Sequence, residues 1–127
     1  MRASILAAPA IMALAIGGYA AAQTMPSSVH AMGGMLMDAK GMTLYTYDND
    51  KEPNKSACTG NCLNNWPAMK AEASDRDMGD FKAIARDDGS RQWAYKGKPL
   101  YYFVMDKAAG DKTGDGRGNG VWHIAKP

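Results

Sequence analysis

Three groups of residues in this chain could do chemistry. Cys58-Thr59-Gly60-Asn61-Cys62 brings the only two cysteines within five positions. The pair could be a structural staple, a redox couple or part of a metal site. The spacing is one residue longer than a thioredoxin-like C-x-x-C, and Leu63 stands where haem attachment would require histidine. A structural disulfide is therefore expected, contributing about 2 kcal/mol for so small a loop. The second group is His30 with Met32, Met35, Met37 and Met42, within thirteen positions. Thioethers and an imidazole suit Cu(I), so copper binding through His30, Met32, Met35 and Met37 is an alternative function. Against it, methionine also fills gaps in cores, and alternation along a strand would account for Met35 and Met37.

The third group is acidic. Asp50 and Asp106 each follow an aromatic pair and precede a lysine. Aspartates so placed commonly accept backbone N–H bonds that start a loop. Asp111 to Gly116 carries oxygen ligands at alternate places, yet Trp122 occupies the twelfth position, where a calcium loop needs a carboxylate. His30 and His123 are the only histidines, and neither has a recognisable nucleophile partner. There is no G-x-S-x-G, H-E-x-x-H or phosphate-cradling motif. No enzyme is expected, and no cofactor beyond the copper alternative.

The elements that must position these residues come from a duplication. Shifted by 56 positions, Gly41, Leu44, Tyr45, Asp50, Lys51, Gly60, Trp66 and Lys70 meet Gly97, Leu100, Tyr101, Asp106, Lys107, Gly116, Trp122 and Lys126, and Tyr47 meets Phe103. Each copy must be one supersecondary unit that buries its apolar face against the other. The same shift equates 25–32 with 81–88, Met37 with Trp93, and the two cysteines with Gly114 and Gly118. Gly33-Gly34 and Gly89-Ser90 mark hairpins. Met42 to Tyr47 and Pro99 to Met105 are the strongest strands. Alternation sets Tyr45 with Tyr47, and Tyr101 with Phe103 and Met105, on a core face opposite Leu44 and Leu100. The final strands carry Trp66 and Trp122. The expected fold is all-β, with two pseudo-symmetric four-stranded antiparallel units packed into one small domain over 23–127, from repeats at about 25–70 and 81–126. Long loops run from Asp50 to Trp66 and from Asp106 to Trp122.

Residues 1–22 read as a signal peptide: Arg2, an apolar run from Ile5 to Ile16, then Ala20-Ala21-Ala22 before Gln23. Export agrees with a disulfide. Removing Arg2 leaves a net charge one unit below the +2 of the whole chain, with both signs interleaved, so a nucleic-acid partner is not expected.

Tyr45-Thr46-Tyr47-Asp48-Asn49-Asp50, Tyr101-Tyr102-Phe103-Val104-Met105-Asp106, the cysteine stretch leading to Trp66-Pro67, and Asp87-Asp88-Gly89-Ser90 leading to Trp93 carry a resemblance. The chain resembles a family of bacterial exported proteins, the predicted lipoproteins with a Tyr-x-aromatic-x-x-Asp motif, also called secreted repeats of unknown function. The resemblance implies a periplasmic or secreted protein without an established biochemical role. A lipid anchor would need a cysteine at the end of the leader, where none stands. The expectation is an unanchored, non-catalytic binding or envelope-associated module with an unknown envelope or extracellular partner.

Overall fold

The computed structural model describes residues 25–127; the segment read as a signal peptide lies outside the described residues. Among the described residues seven short strands and two short helical segments follow one another. They are β1 (Val29–Met32), β2 (Met35–Asp38), β3 (Tyr45–Tyr47), α1 (Cys62–Asn65), β4 (Phe81–Ala85), β5 (Arg91–Tyr95), β6 (Lys98–Pro99), α2 (Arg117–Gly120) and β7 (Trp122–Ile124). The fold is all-β. The sheets pair β1 with β2, β3 with β7, and β4 with β5 and β6, all antiparallel.

Backbone hydrogen bonds reveal how the duplication was used. Tyr45 and Tyr101, which are equivalent residues, exchange both bonds: Tyr45 N–H donates to Tyr101 C=O at 2.8 Å and the reverse bond is 3.0 Å. A residue pairs in this way with its own counterpart only on a pseudo-twofold axis. On either side of that axis the bonds repeat. Ala125 N–H donates to Leu44 C=O at 2.8 Å, and Met69 N–H to Leu100 C=O at 2.9 Å. Leu36 N–H donates to Ala125 C=O, and Trp93 N–H to Met69 C=O, both at 2.9 Å. The last strand of each copy is therefore added to the sheet of the other copy. Three strands of each repeat are thus completed by a segment of its twin: β7 for the first repeat, and for the second the bridged stretch around Met69, which forms no named strand.

The same bonds correct the alignment of the hairpins. Leu36, not Met37, occupies the place of Trp93, because the copy-one turn between β2 and β3 holds one residue more than its counterpart. Val29, opposite Asp38, matches Phe81, opposite Tyr95, so the first strand of each copy is offset from the 56-residue shift as well. Of the expected strand Pro99 to Met105, only Pro99 lies in a named strand, and Tyr101 makes isolated bridges to Tyr45 and Ala68. Met105, expected in the core, is 56% exposed.

Alternation does divide the core as the sequence indicates. Leu44 and Leu100 join Val29, Leu36, Met69, Phe81 and Trp93 in one cluster. Tyr45 and Tyr101 join Trp66, Phe103, Trp122 and Cys58 in the other. Each fully buried large side chain contributes about 1.5–3 kcal/mol of transfer free energy, so the central strands are held from both faces.

Candidate functional site

The repeat motif builds a reciprocal lock between the copies. The Tyr45 hydroxyl donates to Asp106 Oδ2 at 2.6 Å, and the Tyr101 hydroxyl donates to Asp50 Oδ2 at 2.7 Å. Each aspartate thus holds the tyrosine of the opposite repeat. The second oxygen of each carboxylate starts its own loop: Asp50 Oδ1 accepts from Ala57 N–H at 2.6 Å, and Asp106 Oδ1 from Thr113 N–H at 2.9 Å. Ala57 and Thr113 are again 56 positions apart. The spacing Tyr-x-x-x-x-Asp is what this geometry requires, since the strand must end before the chain turns back to meet the partner's ring.

Four rings of the motif form one stack across the axis. Trp66 and Trp122 lie 3.8 Å apart with planes 3° from parallel. Phe103 stacks on Trp66 at 4.3 Å, and its counterpart Tyr47 stacks on Trp122 at 4.1 Å. The Arg117 guanidinium caps the Phe103 end at 5.0 Å from the ring centroid. Gly114 is fixed by this packing: a Cβ there would sit 2.9 Å from the Trp66 ring and 3.0 Å from the Tyr45 ring. Copy one has Cys58 at the equivalent position, fully buried and bonded to Cys62 in a disulfide with Cα atoms 5.3 Å apart.

Burial, reinforced by the carboxylate bonds, holds the hydroxyls of Tyr45 and Tyr101 well above the ordinary tyrosine range; Tyr102, half-buried and bonded to Asp38 at 2.9 Å, is raised likewise. Burial also raises Asp50, opposed by its bonds from Ala57 and Tyr101. For a tyrosine raised in the folded state, the unfolded chain loses its proton first, near pH 10. The stability that these three groups contribute is whole below that pH and falls as pH rises further. Alkaline titration followed by phenolate absorbance is expected to show the three ionising together with loss of near-ultraviolet dichroism. A smooth, separate titration with the fold retained would show that they are accessible.

The metal candidates lie elsewhere, on the β1–β2 hairpin. Its register sets His30 opposite Met37 and Met32 opposite Met35. Opposed residues share a face, as do residues two apart along one strand. His30, Met32, Met35 and Met37 therefore all occupy one face, while Val29 and Leu36 turn to the core. Met37 is buried, as the packing expectation has it, Met35 is half-buried and Met32 is 63% exposed, and none of the three belongs to the two hydrophobic clusters that take in Met69 and Met25. His30 is exposed and Met37 is 8% exposed. Among the described residues no three His, Cys, Asp or Glu side chains converge. The calcium-like loop spends its acids internally: Asp111 Oδ2 accepts from Lys107 and Ala108 N–H groups, and Asp115 Oδ1 from Ile124 N–H.

Fold and lock together define a pseudo-dyad β module made from two interdependent repeats. The chain belongs to the family of secreted repeats of unknown function, which matches it at residues 28–70 and again at 82–126. No curated protein and no solved structure matches the chain significantly. Among the described residues no helix is long and apolar enough to cross a membrane.

Proposed function

We propose that this secreted-repeat protein is a non-catalytic binding module of the periplasm or cell exterior, and that the ligand of its β1–β2 hairpin is Cu(I). The observation that carries the reading is the register of that hairpin, which gathers three thioethers and one imidazole on a single face. Directly opposed side chains on such a face have Cβ atoms about 4.5–5.5 Å apart, close enough for flexible methionines to close around one ion. Thioethers select Cu(I) over the harder divalent ions, and they keep this capacity in an oxidising compartment. The cysteines, joined to each other, do not compete for the metal. A non-catalytic role is supported by the use of Asp50 and Asp106, the motif carboxylates, as fasteners of Tyr101 and Tyr45.

The test is ligand-linked stability. Cu(I), kept reduced, is expected to stabilise the fold with the logarithm of its free concentration, by about 2.7 kcal/mol at a hundredfold excess over Kd, and so to raise the melting temperature. Replacing Met32, Met35 and Met37 together by leucine should abolish the shift while costing under about 1.5 kcal/mol per site. An equal shift in the triple variant would remove the hairpin from the site.

A further inference from the structure

A second face of the molecule carries a cleft of about 470 Å³ where the β3–β7 pair meets the turn between β5 and β6. Lys96, Lys98 and Lys126 line it, together with His123, Thr46 and the ring of Tyr95. Among the described residues the only lysine or arginine in a salt bridge is Lys82, with Asp77; His123 and Asp48 form a hydrogen-bonded pair. Asp48 is also the one carboxylate lining the cleft, and its Oδ2 is held by His123 Nε2 at 2.9 Å. Three lysines thus line a concave surface with Asp48 as its only carboxylate, and none of them is within ion-pair distance of a carboxylate among the described residues. Clustered lysines on a convex surface are ordinarily just solvated. In a cleft with low-dielectric walls their fields add and concentrate on whatever enters.

The backbone supplies an independent observation. Lys96 and Gly97 both have positive φ, 49° and 85°, in the turn that joins β5 to β6. Such turns favour asparagine, aspartate or glycine at the first central position, because a long L side chain is strained there. The other described non-glycine residues with positive φ are Asn54 and Asn119, which tolerate it; Lys96 is the exception. The turn is also pinned from both sides. Lys96 N–H donates to Asp80 C=O at 2.9 Å, and Gly97 C=O accepts from Asn54 N–H at 2.8 Å. The Lys96 ammonium then lies 5.2 Å from the centroid of the Tyr95 ring. Backbone strain kept at a pinned position, with its side chain in a cleft, is the signature of a functional constraint.

We propose that this cleft binds a small oxyanion carrying two or more negative charges, of the pyrophosphate or polycarboxylate kind. The ammonium groups supply charge-assisted hydrogen bonds, Thr46 and His123 lie beside them, and the Tyr95 ring walls one side against water.

Strain and function separate in the substitution Lys96→Asn. Asparagine suits the turn, so the variant is expected to melt at the same temperature as the parent or higher. Its affinity for pyrophosphate, measured calorimetrically on the metal-free protein at low salt, should fall about tenfold, and citrate should behave likewise. Lys98→Gln combined with Lys126→Gln should remove measurable binding with the fold retained. Unchanged affinity in both variants, or no heat with either anion in the parent, would overturn the proposal. So would capture by vesicles containing anionic phospholipid without any binding of soluble pyrophosphate, which would make the lysines a membrane-facing patch.

Discussion

Truncation of Tyr45 or Tyr101 to alanine is expected to cost about 3–5 kcal/mol for each ring, the scale of aromatic deletion from a packed core. Both are fully buried, and each bonds the opposite repeat through its backbone and through its hydroxyl. Loss of the Tyr45 ring removes edge contacts with Trp66 and Phe103 at 5.4 and 6.4 Å. It also leaves Oδ2 of the buried Asp106 carboxylate without the Tyr45 hydroxyl, its donor. Loss of Tyr101 similarly exposes an edge of Trp122 and frees Asp50. Phenylalanine at either position should cost less, about 1.5–3 kcal/mol, because packing survives and only a bond to a charged group is lost. Thermal or denaturant unfolding measures both. An unchanged melting temperature in Tyr101→Ala would mean that the ring is not part of the core.

Strand exchange makes a stronger demand on the whole chain. A peptide spanning 25–70, one complete repeat by sequence, is expected to show no cooperative unfolding transition. Its own fourth strand, around Met69, bonds Leu100 and Trp93 of the other copy, and its Leu36 and Leu44 bond Ala125. Separated from 71–127, both sheets lose an edge partner and Trp66 loses the ring stacked on it at 3.8 Å. Mixing the two halves should restore the dichroism of the intact chain. A single repeat that folds alone with native-like dispersion would refute the exchanged arrangement.

Much of this was legible in the sequence, and the failures have physical causes. The 56-residue match located the axis, since the residues that meet across it, Tyr45 and Tyr101, are those that align. Period-two alternation separated the Leu44 and Leu100 cluster from the aromatic one. A gapless shift could not register the extra residue between β2 and β3, so Met37 was equated with Trp93 where Leu36 belongs. Repeat similarity is also blind to whether a strand completes its own sheet or its twin's, because both arrangements bury the same residues. For that reason Asp50 and Asp106 were legible as loop starters but not as partners of Tyr101 and Tyr45. The lysine cleft escaped because the β5–β6 turn with Lys96 and Lys98 meets the end of the chain with His123 and Lys126 only in the fold and not by spacing. The one signal present was a lysine before glycine in a tight turn, a place where asparagine would be the easier residue.

The copper reading turns on where the metal's ligands come from, and X-ray absorption at the copper edge of the Cu(I)-loaded, full-length protein reports this directly. Sulfur should dominate the atoms nearest the metal, with one nitrogen from His30, and the sulfur contribution should disappear when Met32, Met35 and Met37 are leucine. A shell of nitrogen and oxygen alone, or a sulfur signal that persists in the leucine variant, would contradict a site on the β1–β2 face.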